Sequence, residues 1–393
     1  MNKNILATSG KTFQKFIRHL TRKLPRPKAK FITDLLCGIL FCDDLILTHI
    51  ASKVPNPSRL TAIAKRFRRQ LADDQPFDKQ LCFNYLELTS RRLDVDSLFI
   101  MDLSDLAKPY AKKMENLALV RDADKDQLVP GYWCLEVYAI DKQDITWPLI
   151  LWPYSLEAEG VLSENQQILS LLSMLDEYFG QGFGIYIIDR GGDRIELIQG
   201  FLACKRHFII RQRGDRAVIL DNGVRMILRD LVEHLFAESG DWLVYRKVYL
   251  PGVEKPLYVV AYHSKGYDEP VMLLTDMVVE DRDLALQMRN RYARRWAGCE
   301  TSVEFLKSFL GLERFAVRKY RSMQRLIFLA ALAMGFVSYL LSRCSKIREK
   351  VDDALRYCRK PNGFWFYRVV IALRDAFNLR AQMSLLCWCR RPP

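Results

Sequence analysis

Residues 97–102 read Ser-Leu-Phe-Ile-Met-Asp, and residues 184–189 read Gly-Ile-Tyr-Ile-Ile-Asp. Each is a short apolar run that ends on a carboxylate. Apolar runs of this length with turn residues nearby have the pattern of strands buried on both faces. If the two are neighbouring central strands of one sheet, Asp102 and Asp189 open into the same crevice. Their placement decides how the rest of the chain is read.

Between the two runs, residues 132–140 (YWCLEVYAI) and 145–152 (ITWPLILW) predict two more strands, giving three in meander order with 97–102. Residues 163–179 predict a helix capped by Ser163. After Asp189, residues 193–203 predict a helix and 207–212 (HFIIRQ) a fifth strand. Residues 213–282 read mostly as strands at 242–250, 257–263 and 271–275, with turns at Pro251, Gly252, Gly266 and Pro270. Helix returns from Asp283 to about Leu310, and again from Arg318.

On the N-terminal side, Phe13, Phe16, Ile17 and Leu20 recur at helical spacing, and Pro25, Pro27, Pro55 and Pro57 separate further helices. Residues 58–71 (SRLTAIAKRFRRQL) form an amphipathic helix with Ser58 as expected N-cap. Lys65, Arg66, Arg68 and Arg69 lie on its polar side, either as a solvated face or as a DNA contact. The expected class is α/β: a mixed five-stranded sheet flanked by helices, whose strand and helix order is that of an RNase H-like core. The expected division is a helical DNA-binding domain at 1–94, the first part of the core at 95–212 and a β-rich insertion at 213–282. Core residues 283–345 and a basic helical tail at 346–393 follow.

The chain of 393 residues carries a formal net charge of +14. A basic excess of this size favours a polyanionic partner. It is concentrated at the ends: Lys3, Lys11, Lys15, Arg18, Arg22, Lys23, Arg26, Lys28 and Lys30 precede any acidic residue. Arg356, Arg359, Lys360, Arg368, Arg374, Arg380, Arg390 and Arg391 lie in the tail. The ten cysteines form no CxxC pair. Cys37 and Cys42, and Cys387 and Cys389 around Trp388, have no zinc-knuckle spacing, so reduced thiols are expected. No signal peptide is evident. Residues 326–341 (LIFLAALAMGFVSYLL) are almost wholly apolar but shorter than the roughly 20 residues of a membrane span, so a buried core helix is expected.

Two strand-end carboxylates and a third on a packed helix suit hard divalent cations, which take oxygen ligands. Such an Asp also commonly caps a turn, and Asp189, Arg190 and Asp193 could form a salt-bridged turn. Three stretches sharpen the choice: MDLSDLAKPYAKKMENL from Met101, IIDRGGDRIELI from Ile187, and NRYARRWAGCETSVEFLKSFLGLER from Asn290. Together they resemble the DDE transposases of bacterial insertion sequences, in the group whose third-carboxylate helix carries a Tyr-(2)-Arg-(3)-Glu-(6)-Lys signature. The resemblance covers roughly residues 95–340.

That resemblance implies that Asp102, Asp189 and Glu300 are the metal-binding catalytic carboxylates, with Lys307, Arg295, Tyr292 and Lys108 as phosphate or DNA contacts. Glu304 and Asp105 are the fallbacks for the third and first carboxylate. The chain departs from the signature at one point: four residues, Trp296 to Cys299, separate Arg295 from Glu300, where the family has three. The helical phase of Tyr292 and Arg295 relative to Glu300 is therefore open. Arg190, Arg211 and Arg213 lie near the second carboxylate or the fifth strand and could line a DNA channel or be solvated turns. Trp242, alone of its type in the insertion, reads first as a core residue and second as a base-stacking wedge.

The implied activity is cut-and-paste DNA transposition, using two Mg²⁺ ions (Mn²⁺ as substitute). The implied partners are double-stranded DNA (terminal inverted repeats and target) and a second copy of the chain, with no membrane. The expected location is the cytoplasm, at the bacterial nucleoid. The competing readings are a catalytically inactive or domesticated DNA-binding relative, and a nuclease of the same fold.

Overall fold

A computed structural model describes residues 2–54, 58–122, 126–266, 268–344, 346–355 and 364–378. Pro55, Pro57, Cys387, Trp388, Cys389 and the tail cations Arg356, Arg359, Lys360, Arg380, Arg390 and Arg391 lie outside the described residues.

The chain opens with helices α1 (Asn2–Leu20), α2 (Arg26–Leu40), α3 (Leu47–Ser52), α4 (Leu60–Leu71) and α5 (Asp78–Ser90). Strands β1 (Leu98–Ala107), β2 (Ala118–Asp122), β3 (Gln127–Ile140) and β4 (Thr146–Tyr154) follow. Next come α6 (Glu164–Phe179), β5 (Ile185–Ile188), α7 (Ile195–Ala203) and β6 (His207–Arg211). A small hairpin, β7 (Ala217–Ile219) and β8 (Arg225–Ile227), leads into α8 (Leu228–Ser239). Then come β9 (Leu243–Val248), β10 (Leu257–Tyr262), β11 (Val271–Thr275) and α9 (Arg282–Arg295). A π-turn at Trp296–Glu300, α10 (Thr301–Glu304) and a second π-turn at Phe305–Phe309 continue the helical run. α11 (Tyr320–Arg343), α12 (Ile347–Ala354) and α13 (Trp365–Asn378) complete the order.

Two compact units divide these elements. A helix-rich unit holds residues through Arg92, Ser104–Val161 and residues from Thr301 on. A sheet unit holds Leu93–Leu103 and Leu162–Glu300.

In the sheet unit, the first half of β1 pairs in parallel with β5, and β5 in parallel with β6. β11 joins β6 antiparallel, followed by β10 and β9. The expected β-rich insertion therefore continues the sheet, with more strands here than the expected five would supply. The cause is plain from composition. β10 (LYVVAY) and β11 (VMLLT) are buried at every position, and pairing β11 on β6 satisfies backbone groups an open edge would leave bare. The insertion is also not all strand: α8 has Leu228, Leu231, Val232 and Leu235 buried at helical spacing. Ser163 caps α6, its hydroxyl accepting from the Gln166 amide.

In the helix-rich unit, β2 and β4 both pair antiparallel with the long strand β3. β2 was not foreseen. α11 carries the apolar segment: every residue from Leu326 to Leu341 is buried. By length and composition it could cross a membrane, but 94% of its most apolar stretch is buried inside the protein, and it packs on β4, α2 and α1. Its Arg325 is 4% exposed and donates to both carboxylate oxygens of Asp78 and to the carbonyls of Leu71 and Asp73. That tether satisfies carbonyls left open at the end of α4. α4 starts one residue later than expected: Arg59 is its N-cap, and no side chain caps it.

Candidate active site

β1 and β5 run side by side in parallel, with Met101 opposite Ile188 as their last pair, so Asp102, midway along β1 rather than at the strand end expected, and Asp189, just past β5, follow at the same level. Asp189 turns the chain into a short 3-10 helix, its Oδ1 accepting from the Gly191 amide at 2.8 Å. Gly192 is required in that turn, because a Cβ there would lie 2.5 Å from Ile188 Cγ2.

The third carboxylate comes from the helix after β11. Arg295 ends α9, and its guanidinium reaches all three acids. Nη1 lies 2.7 Å from Glu300 Oε1, while Nη2 lies 3.1 Å from Asp102 Oδ2 and 3.9 Å from Asp189 Oδ2. Asp102 and Arg295 are largely enclosed, with side chains 17% and 12% exposed, whereas Asp189 and Glu300 open to solvent at 40% and 41%.

The extra residue between Arg295 and Glu300 is taken up by the π-turn Trp296–Glu300. Five residues of α-helix would rotate Glu300 about 140° away from Arg295. An i→i+5 turn brings the fifth residue back over the first. The phase left open by the sequence is thus resolved in favour of contact, and Tyr292 stays buried one turn earlier. Its phenol hydrogen-bonds Arg211, and burial raises its pKa above the ordinary tyrosine value.

Cys299, which sequence reasoning missed, belongs to the same cluster: its thiol donates to Asp102 Oδ2 across 3.2 Å. The one signal for it was the departure from the signature. Burial raises the Asp102 pKa above the ordinary carboxylate value, opposed by Arg295, helped by the negative charge of Asp189, and opposed again by the thiol. Burial alone would favour neutral Arg295, but the adjacent Asp102, then Cys299 and Asp189, outweigh it and keep the guanidinium charged.

The other expected residues are placed as follows. Arg190 pairs with Glu269 at 3.3 Å rather than with Asp193, which instead takes Arg216. Arg213 is exposed. Trp242 is 42% exposed, so it is no core residue; the guanidiniums of Arg282 and Arg289 lie 5.9 and 6.0 Å from its ring. In the helix-rich unit, Lys307 pairs with Asp105 and Glu313, each at 3.3 Å. Lys108 donates to the carbonyls of Glu313 and Phe315 and lies 3.5 Å from the Phe315 ring centre. Glu304 is exposed.

Three carboxylates gathered from the middle of one strand, the end of its neighbour and one helical segment supply only hard oxygen donors, as a divalent-cation site for phosphoryl transfer needs. The donor set fits such ions. Among the described residues, however, no three acidic, His or Cys side chains are arranged as a ready cage, and the Arg295 guanidinium stands among the three acids. Residues 153–336 match the family model of the transposase DDE domain. This match supports a DDE-type transposase of insertion sequences, an enzyme class of mobile elements that acts on DNA and in general depends on divalent metal. The matched stretch contains Asp189, Arg295 and Glu300; Asp102 precedes it. No curated protein matches the chain.

Proposed function

We propose that the chain is a cut-and-paste transposase whose catalytic carboxylates are Asp102, Asp189 and Glu300. The observation that carries this reading is their convergence on one guanidinium, from positions up to 198 residues apart in sequence. The parallel trio β1, β5 and β6, with antiparallel β3 and β4 between the first two in sequence, supports an RNase H-like core. Two Mg²⁺ ions (Mn²⁺ as substitute), when bound, activate the attacking oxygen and stabilise the leaving one.

The chain's own residues divide the remaining work. Asp189 and Glu300, open to solvent, would hold the ions on the side from which the scissile phosphate approaches; Asp102 would hold them on the inner side. In the first step, a water oxygen bonds to phosphorus, the bond to the 3′-oxygen breaks, and a 3′-hydroxyl is left on the element end. In the second step, that hydroxyl attacks a target phosphate and displaces its 3′-oxygen. Arg295 and Arg211 hold non-bridging phosphate oxygens, and the exposed Trp242 ring stacks on a base released from the duplex. Lys307 and Lys108 keep their expected place beside DNA only by exchanging protein partners for phosphate. The exposed side of α4, with Lys65, Arg68 and Arg69, belongs to an N-terminal segment that reads the terminal inverted repeats. Pairing of two element ends implies a dimer, working at the nucleoid of a bacterial cytoplasm.

The test mixes purified protein, labelled element ends and Mg²⁺ or Mn²⁺. Wild type is expected to cleave the ends and join them to target DNA, while Asp189→Asn falls to background and keeps DNA binding. Equal cleavage by both proteins overturns the assignment. Cleavage without joined products would make it a nuclease instead.

A further inference from the structure

In the carboxylate cluster, Asp102 Oδ2, Asp189 Oδ2 and Glu300 Oε1 all face the Arg295 guanidinium. These are the oxygens a divalent cation would need. With all three acids ionised, one guanidinium leaves the cluster with net negative charge, and Asp189 and Glu300 keep it open to solvent. Arg295 is held there from one side only. Its Nε is buried without a hydrogen-bond partner, so the side chain is fixed by the acids and not by a scaffold of its own. The Asp102 oxygen it uses is shared with the Cys299 thiol, which can hold that carboxylate in place if the arginine leaves.

We infer that Arg295 is a built-in counter-cation of the three carboxylates, and that a divalent ion and this guanidinium are alternative occupants of the same oxygens. The inference rests on the proposed site. A divalent ion arriving at these oxygens meets a guanidinium already in contact with them and is repelled by it. Metal uptake therefore displaces Arg295 outward, and the same displacement frees its forked donors for a phosphate oxygen. By linkage, whatever the guanidinium gains from the acids is subtracted from the metal affinity.

Alternative roles for Arg295 predict different signs. An arginine that only grips DNA leaves metal affinity unchanged when DNA is absent. An arginine that only glues the acids together weakens metal binding when it is removed, because the carboxylates spread. A competing counter-cation strengthens it.

The experiment measures Mn²⁺ binding by electron paramagnetic resonance, without DNA, for wild type, Arg295→Gln, Arg295→Lys and Asp189→Asn. Arg295→Gln is expected to bind Mn²⁺ about tenfold more tightly than wild type, with Arg295→Lys closer to wild type. Equal or weaker binding by Arg295→Gln overturns the inference. Should that variant fail to fold, phenylglyoxal labelling of wild type, mapped by mass spectrometry, decides instead. Mn²⁺ is expected to raise the labelling of Arg295, and unchanged or reduced labelling overturns the inference. If wild type takes up no Mn²⁺, or Asp189→Asn takes up as much, the proposed site itself fails. Strand cleavage by wild type, measured separately, keeps the two failures distinct.

Discussion

Cys299 lies 197 residues from Asp102 in sequence, yet its thiol donates to the Asp102 carboxylate at 3.2 Å. The contact links the inserted residue of the third-carboxylate helix to the innermost acid of the cluster. A thiol is a weak donor, but here it is buried and meets a carboxylate in a site that burial has already made unfavourable for charge. Cys299→Val is expected to slow strand cleavage about three- to tenfold, the size of one ordinary hydrogen bond, as suits a weak thiol donor. Cys299→Ser, which restores a hydroxyl donor, is expected to recover most of the rate. Equal rates for Val and Ser would mean the hydrogen bond is idle.

The π-turn makes a second prediction that runs against intuition. Deleting Ala297, which is exposed, should convert Trp296–Glu300 into an α-turn without altering the phase of the helix on either side, because a π-bulge is a one-residue insertion into an α-helix. Arg295 and the shifted glutamate would then stand four apart and still meet. Cleavage is expected to persist, whereas deleting Ala293 within α9, which has no bulge to absorb the loss, should abolish it. Loss of activity in both deletions would reject this account of the turn.

Arg325 anchors α11 to the end of α4 and to Asp78. Arg325→Met would leave the Asp78 charge and buried carbonyls without their donor, so a loss of about 3–5 kcal/mol is expected in urea unfolding. A change below 1 kcal/mol, on the order of a surface substitution, would show that water replaces the guanidinium.

Gly335 sits where α11 passes the buried Tyr85. A Cβ at Gly335 would lie 2.3 Å from the Tyr85 hydroxyl oxygen, and that oxygen has no hydrogen-bond partner. Gly335→Ala is therefore expected to cost about 1–3 kcal/mol by overpacking. Tyr85→Phe should be mild alone and should relieve part of the Gly335→Ala cost in the double variant. A double variant no more stable than the alanine variant would place the clash elsewhere.

Burial lowers the Lys108 pKa from the usual 10.5 to about 8, against an opposing pull from Glu313. The unfolded chain then binds this proton more tightly than the folded one, so stability rises with pH across the window from about 8 to 10.5. The urea midpoint of wild type relative to Lys108→Met is expected to increase from about pH 8 to about pH 10. A flat difference would mean that Lys108 titrates normally.

Much of the site was legible in the residues. The apolar runs before Asp102 and Asp189 predicted strands because buried strands need continuous apolar side chains, and both strands form. The third carboxylate, Glu300, came only from the resemblance to the family signature around Tyr292 and Lys307. Trp242 was harder, since an isolated tryptophan on a strand boundary carries no periodicity to say which way it faces. Lys108 and Lys307 were expected as phosphate or DNA contacts, and nothing in their own neighbourhoods in sequence reveals that both meet Glu313.

By itself the sequence determined most of the strands and helices, though not β2 or α8, that the chain is basic at its ends, and that Asp102 and Asp189 could cooperate. These follow from local periodicity and composition, which each segment carries without its neighbours. Only the tertiary structure decided that β9, β10 and β11 extend the sheet from β6, that the extra residue becomes a π-turn, and that one guanidinium gathers three carboxylates. Those outcomes depend on hydrogen-bond edges and buried charges from distant parts of the chain, whose pairing is settled only when the backbone brings them together.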